Sequence, residues 1–358
     1  MIKMKFISYS LIIIAVFIGC SDDNPVATSK IDDCAYAIYF LKDTTITIQE
    51  ILNTEIKDLE LADEPWMSQS DIEFYDWSSH CIYLKKNKSF FLGDPANNDL
   101  FYIRWNNRPF IVTAENRICY KGYFLPFLSS DIYPCPDILE ADINLYSSDI
   151  IRIEWPYLFA TDQRNNEYVK TALTNSNLLH EGLYITIDTL WIDNADTTTV
   201  EYKITINNRD EDNLYVMDPD KMGTKLFHAF TNGPIFYNST NKTVYSSIYK
   251  NVTLPDPLDY YDYCWFAKIK SGESISRKII LTGYPPLPEG NYYCCFTFGS
   301  PYNIEKCDRT LSDGRYWIGS MFSEVGEFDR VLSKISNYKI RSLSRIQQKD
   351  FINILLRK

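Results

Sequence analysis

Apolar and polar residues alternate strictly over residues 200–206, and this pattern constrains the fold more than any other feature. Successive side chains of a β-strand point to opposite faces, so Val200, Tyr202, Ile204 and Ile206 share one face. Residues 183–188 alternate in a similar way just upstream, and turn-forming residues 194–197 separate the two runs. A period of two residues therefore predicts two adjacent antiparallel strands with one buried face.

Further apolar runs and turn signals extend the β prediction in both directions. In the first half, strands are predicted over 72–77, 81–84, 101–105, 109–113 and 118–124, the last two joined as a hairpin at 115–116. In the second half, strands over 274–281 and 291–298 each follow a glycine- or proline-rich turn. The polar, proline-free segment 163–173 is predicted as a helix beside a domain boundary. We predict a mainly β protein with an N-terminal β-rich domain over 31–178 and an antiparallel β-sandwich over 179–325.

The turn sequences of the second half resemble those of a known group of domains. Residues 270–274, a hydrophobic strand and then Pro288, Glu289, Gly290, Asn291 and Tyr292 resemble the closing hairpin of immunoglobulin-like bacterial domains, including the BsuPI type of proteinase inhibitor. The resemblance spans residues 183–298 and implies an immunoglobulin-like β-sandwich. It identifies no inhibitory loop, so proteinase inhibition is the second alternative function.

The first nineteen residues are typical of a signal peptide. Lys3 and Lys5 precede an apolar run over 6–18, which is shorter than the roughly 20 residues needed to span a bilayer. The run ends at Gly19 and Cys20 and resembles the bacterial lipobox, although Phe17 stands where leucine is usual. The resemblance implies that residues 1–19 are removed, that Cys20 is lipidated and that 20–30 form a tether. The alternative is an ordinary secretory signal that ends near a cysteine.

The residues after Cys20 predict where the anchored protein resides. Ser21, Asp22 and Asp23 resemble the acidic export tag of surface lipoproteins of the Bacteroides group. The resemblance implies an outer-membrane, cell-surface location, with the periplasmic face as second choice and the membrane as partner through the lipid. Without residues 1–19 the chain has 34 basic and 47 acidic residues, which disfavours nucleic acid as a partner.

The C-terminal tail, residues 326–358, differs in charge from the rest of the chain. From residue 331 onward it carries seven lysines and arginines against the single acid Asp350, and an amphipathic helix is predicted over 344–356. One interpretation is a helix docked on the protein's own surface. The other is a basic patch that docks on an acidic partner or on the membrane.

The cysteines fall into two groups of four once Cys20 is set aside. In an exported protein each group permits two disulfides, and unpaired thiols are the alternative. The candidates are Cys34, Cys81, Cys119, Cys135, Cys264, Cys294, Cys295 and Cys307. The spacings contain no CxxC motif and the histidines no HExxH motif, so we predict neither a metal site nor a cofactor. Asn208, Asp210 and Asp212 alternate as in a calcium loop, but Pro219 stands at the closing position, so we predict a hairpin turn.

Sequence motifs for catalysis are missing. The chain lacks the GxSxG, SxxK, GxGxxG and GxxxxGK[ST] patterns, whereas a glycosidase is not excluded because its paired carboxylates have no fixed spacing. The high aromatic content suits β-structure and also platforms that bind sugars. The favoured function is a non-enzymatic surface protein that binds a glycan or a protein. A secreted glycan or peptide hydrolase is the first alternative. The candidate platform consists of Tyr260, Tyr261, Tyr263 and Trp265.

Overall fold

The computed structural model of the chain shows a mainly β protein. It describes residues 34–55, 58–93, 107–126, 133–155, 162–193, 198–231, 233–247, 261–300, 311, 313–330 and 335–338. Within these ranges, every helix is too short or too polar to cross a membrane. The predicted mainly β, sandwich-like fold is confirmed.

The first half contains two small sheets. A five-stranded sheet has the order β2-β1-β5-β6-β7, in which only β6 and β7 are parallel. A four-stranded sheet has the order β8-β4-β3-β9, in which only β3 and β9 are parallel. The strands are β1 (Tyr36–Phe40), β2 (Met67–Ser68), β3 (Ile72–Asp76), β4 (Cys81–Leu84), β5 (Pro109–Ala114), β6 (Arg117–Leu125), β7 (Asp137–Leu139), β8 (Ile150–Arg152) and β9 (Leu179–His180).

Short helices connect these strands: α1 (Ile48–Asn53), α2 (Ser89–Leu92), α3 (Glu140–Leu145) and α4 (Glu167–Asn175). A 3₁₀ turn over Gln69–Asp71 precedes β3. Helix α4 begins later than the predicted 163–173, because the Asn166 side chain accepts hydrogen bonds from the backbone N–H groups of Tyr168 and Val169. The start of this helix is therefore set by its cap.

The second half contains three sheets, with strand orders β16-β11-β10-β20, β15-β12-β18 and β14-β13-β17-β19. All described pairs are antiparallel except β12 with β18. The strands are β10 (Leu183–Asp193), β11 (Thr198–Asn208), β12 (Leu214–Met217), β13 (Ile235–Asn238), β14 (Thr243–Tyr245), β15 (Phe266–Ile269), β16 (Ser274–Tyr284), β17 (Gly290–Gly299), β18 (Arg315–Tyr316), β19 (Ser320–Arg330) and β20 (Ile335–Tyr338). The helices are α5 (Pro219–Met222), α6 (Thr224–Thr231) and a 3₁₀ turn over Tyr263–Trp265.

The predicted alternation of apolar and polar residues over 200–206 is present in the core. Val200, Tyr202, Ile204 and Ile206 are fully buried on one face of β11, and the intervening residues are half-buried or exposed. The predicted strands over 72–77, 81–84, 109–113, 118–124, 274–281 and 291–298 are also observed within a few residues. The strand predicted over 101–105, the turn over 194–197 and the helix over 344–356 lie outside the described residues.

The buried apolar clusters divide near residue 180. One cluster draws on residues 183–317, whereas two others draw on residues 36–178. The halves still touch, because Ile318 packs with Cys81, Tyr146 and Ile150. Strand β9 also pairs with β3 in the first half and runs directly into β10 of the second. Ile318 lies two residues after β18, so its packing against Cys81, Tyr146 and Ile150 places β18 beside the first half.

Candidate functional site

A cavity of about 390 Å³ opens on the three-stranded sheet of the second half. This volume lies within the range of small-molecule sites, roughly 300–1,000 Å³. Half of its described lining residues are aromatic, and two lysines are its charged groups. The lining residues are Tyr215, Lys221, Tyr263, Cys264, Phe266, Lys268, Leu311 and Tyr316.

Strand pairing between distant segments assembles the aromatic wall. Strand β12 lies between β15 and β18, and its Tyr215 pairs with Lys268 on one side and with Tyr316 on the other. The Phe266 and Tyr316 rings meet edge to face with centroids 4.9 Å apart, and the Tyr215 and Tyr316 centroids are 5.7 Å apart. Such contacts hold the rings in fixed orientations.

Lys221 reaches the cavity from the short helix α5. Pro219 occupies the first turn of this helix, and the Asp218 side chain caps it by accepting from the Asp220 N–H. Arg277 donates from Nε and Nη2 to the two oxygens of Asp218, each at 2.6 Å, and so holds the cap in place. The Lys221 ammonium donates to the Phe266 carbonyl oxygen. Its position is therefore defined although the residue is exposed.

Lys268 contacts a carboxylate that several donors share. Its ammonium donates to Asp313, which also accepts from Asn213 Nδ2 at 3.1 Å and from the Tyr215 hydroxyl at 3.4 Å. The hydrogen bond to Asp313 raises the pKa of Lys268, and the same bond lowers the pKa of Asp313. Both groups are therefore charged at neutral pH.

The predicted aromatic platform is only partly formed. Tyr263 is 40% exposed and lines the cavity, whereas Tyr261 is 1% exposed and packs against Phe230. Trp265 packs against the core at 90° to Tyr261. Tyr261 precedes the 3₁₀ turn over Tyr263–Trp265, and within this turn successive side chains are rotated by about a third of a circle, so Tyr263 and Trp265 point in different directions. A flat strip of these three residues is therefore absent, and Tyr260 lies outside the described residues.

Four of the candidate disulfide cysteines are free thiols: Cys81, Cys119, Cys135 and Cys264. Three of them belong to the first group, so the two disulfides considered for that group are absent. Burial raises the pKa of Cys81, Cys119 and Cys135 to about 12, which makes these thiols unreactive. Cys264 is exposed at the cavity, whereas Cys34 packs against the cluster that contains Cys135 and Cys294 is buried in the second half. The Cys295 side chain and Cys307 lie outside the described part.

A buried charged cluster, which we call the junction network, links the two halves. It consists of Asp76, Ser78, His180, Asp210, Arg315 and Trp317. Arg315 Nη2 donates to Asp76 at 2.6 Å and to Asp210 at 2.7 Å. Trp317 Nε1 donates to Ser78 Oγ at 2.7 Å, and Ser78 Oγ donates to Asp76 at 2.7 Å. One guanidinium therefore bridges a carboxylate from each half.

Two members of the junction network, together with Asp212, are the described side chains closest to a metal-ligand set. His180, Asp210 and Asp212 bring their donor atoms within 4.8 Å of one another. However, one Asp210 oxygen contacts His180 Nδ1 at 2.8 Å, and the other accepts from Arg315 and from the Gly182 N–H. A guanidinium beside the same carboxylate repels a cation, so these residues form an ion-pair cluster.

The segment from Asn208 to Asp212 is not the predicted hairpin turn. Strand β11 pairs with β10 and β16, whereas β12 pairs with β15 and β18, so the segment passes from one sheet to another. The Asp210 N–H donates to Asn208 Oδ1 and the Asp212 N–H to Asp210 Oδ1. These bonds shape a crossing that brings Asp210 to Arg315.

Two further buried carboxylates lie in the first half. Asp137 is 1% exposed and Asp142 is 6% exposed. Burial, together with the charge of Asp142, raises the pKa of Asp137 to about 7. Such a shift suits a general acid, but this carboxyl is closed to a substrate.

Of the cavity lining, the local sequence predicts Tyr263 as a site residue but not Tyr215, Lys221, Phe266, Lys268 and Tyr316. They belong to four separate elements, and no local motif joins them. The predicted lipidation site and export tag lie outside the described residues, so the roles of Cys20, Ser21, Asp22 and Asp23 stay predictions.

Comparisons with known proteins give no match. No family model, curated protein or solved structure is significantly similar to the chain.

Proposed function

We propose that this chain is a lipid-anchored protein of the outer cell envelope that binds a glycan in the cavity over the β12, β15 and β18 sheet. The observation that supports it best is an aromatic cavity of small-molecule size with an exposed tyrosine, Tyr263, at its wall. Sugar rings have apolar faces that stack on aromatic side chains, and their hydroxyl groups take hydrogen bonds from tyrosine and lysine.

The lining favours binding over hydrolysis. Glycosidases use two carboxyl groups about 5 to 10 Å apart across the bond they cleave. Among the described residues that line the cavity none is a carboxylate, and the buried pair Asp137 and Asp142 lies in the other half. The hydrolase alternative therefore has no catalytic pair at this cavity.

The proposal also covers the location of the protein in the cell envelope. The lipobox at Gly19 and Cys20 and the acidic residues Asp22 and Asp23 support anchoring and surface display. The BsuPI-like turns of the second half support the immunoglobulin-like form of the sandwich. Metabolic labelling with palmitate tests the anchor: Cys20→Ser is expected to abolish labelling, and persistent labelling contradicts this site.

A glycan array tests the binding. The chain from residue 20 onward with Cys20→Ser is applied to the array, and released sugars are assayed in parallel. We expect binding without turnover, and Tyr263→Ala is expected to weaken binding about tenfold, which corresponds to roughly 1.4 kcal/mol.

Tyr184→Ala is the matched control, because Tyr184 is 43% exposed and is not part of the lining. Equal loss of binding in both variants contradicts a role for the cavity. Release of sugars would identify the protein as a hydrolase and contradict the proposal of binding alone. Binding only to protein or peptide probes would identify a protein, and not a glycan, as the ligand.

A further inference from the structure

We infer that the cavity selects anionic glycans, whose carboxylate or sulfate group is held by Lys221 and Lys268. The inference rests on the proposed glycan function and narrows its ligand class. It comes from the charges around the cavity, whereas the glycan proposal comes from its aromatic wall.

The ammonium group of Lys221 has a positive charge that no described carboxylate balances. Its hydrogen bond is to a neutral acceptor, the Phe266 carbonyl oxygen, and it takes part in no described ion pair. An ammonium has three N–H donors, so others are left for a ligand. The two acids beside Lys221, the cap Asp218 and the helix residue Asp220, both pair with Arg277, at 2.6 Å and 3.1 Å, rather than with Lys221.

Lys268 supplies the second positive charge. Its partner Asp313 divides its oxygens among Lys268, Asn213 and Tyr215. The ion pair is half-exposed, with 32% of the Lys268 side chain and 47% of the Asp313 side chain open to solvent. Exposed ion pairs of this kind contribute little free energy. A ligand carboxylate or sulfate can therefore replace Asp313 as the partner of the Lys268 ammonium at low cost.

The two lysines of the cavity contrast with the negative charge of the whole chain. The net charge is −11, and the buried Arg164 and the partly buried Arg277 and Arg315 each contact a carboxylate at 2.6 Å. In the cavity two lysines converge and the described lining contains no acid. A negative protein surface repels anions in general, so the Lys221 ammonium, which is in no described ion pair, gives this cavity a local attraction for an anionic group.

The experiment compares probes that differ in charge alone. Calorimetry measures binding of a galacturonic-acid oligomer and its methyl ester, and of a sulfated galactan oligomer and its desulfated form, to the Cys20→Ser chain from residue 20. We expect at least tenfold tighter binding of one acidic probe than of its neutral counterpart, and weaker binding at higher salt. Lys221→Met, which keeps the apolar stem, is expected to remove most of this preference.

Lys225→Met is the matched control, because Lys225 is an exposed lysine that is not part of the lining. Alkylation of Cys264, followed by mass spectrometry of its peptide, gives a second readout. An acidic probe that occupies the cavity is expected to slow this alkylation, whether or not the lysine variants fold well.

The outcomes separate the two proposals. Preference for an acidic probe, lost in Lys221→Met and kept in Lys225→Met, supports the inference, and the uronate and sulfate arms identify the acid group. Equal binding of charged and neutral probes, with Cys264 protected by both, overturns the charge inference and leaves glycan binding intact. No binding of any glycan and no protection of Cys264 overturns both proposals.

Discussion

The junction network and the cavity contain similar groups in opposite electrostatic settings. In the junction network Arg315 lies 4.9 Å from the Phe74 ring centroid and bridges the buried carboxylates of Asp76 and Asp210. In the cavity Lys221 lies beside tyrosines but contacts only a carbonyl oxygen among the described groups. A cation that is buried and paired stabilises the fold, whereas one that is exposed and unbalanced is available to a ligand. The difference teaches that pairing, rather than residue type, separates a structural site from a binding site.

The contrast between the junction network and the cavity predicts the largest loss of stability at Arg315. Arg315→Met removes the guanidinium that bridges the buried carboxylates of Asp76 and Asp210, and we expect the free energy of unfolding to fall by about 3–5 kcal/mol. Urea denaturation measures the change. Lys221→Met is the counterpart in the cavity and is expected to change stability by less than about 0.5 kcal/mol. Similar losses in the two variants contradict the comparison.

The close packing of the junction network is tested at Gly182. Gly182 has a φ of +69°, and an added Cβ would lie 2.2 Å from Ser78 Oγ and 2.5 Å from Asp76 Oδ1. We expect Gly182→Ala to destabilise the protein by roughly 2–3 kcal/mol, since strain and overpacking add. Gly272→Ala is the control, because Gly272 has a φ of +72° with no atom within 4 Å. Equal losses would show that the backbone alone is responsible.

The charge balance of the junction network is tested at His180. Burial lowers the pKa of His180, but the hydrogen bond to Asp210 and the Asp210 charge raise it more, so its pKa is raised on balance. Glu211, Asp212 and Arg315 also face this ring.

A raised histidine pKa stabilises the protein below the unfolded value of about 6.5, and this stabilisation is lost as pH rises through the folded value. We therefore expect His180→Gln to cost about 1 kcal/mol at pH 5.5 and less at pH 9, as measured by urea denaturation. A cost that does not change with pH contradicts the assignment.

The smallest effect on stability is expected at the cavity wall. Tyr263→Ala removes a side chain that is 40% exposed, so we expect the melting temperature to change little and stability by less than about 0.5 kcal/mol. The same variant is expected to weaken glycan binding about tenfold. A large loss of stability would place Tyr263 among the structural residues and remove the contrast between the two regions.

Patterns within single segments predicted much of the fold. Alternation identified β11, and the apolar run over 81–84 matches β4 without a shift. The helix over 163–173 was displaced because its start depends on the Asn166 cap. For the candidate site, local sequence predicted Tyr263, but Trp265 packs against the core because residues 263–265 form a 3₁₀ turn, and Tyr261, which precedes the turn, is buried.

By itself the sequence determined that the chain is mainly β, because the period of a strand is a local property of seven or eight residues. Tertiary structure alone decided which cations are paired and which line the cavity. Arg315 meets Asp76 across 239 positions of the chain, and Lys221 meets Phe266 across 45. Such contacts depend on strand pairing between distant segments, which no local spacing encodes.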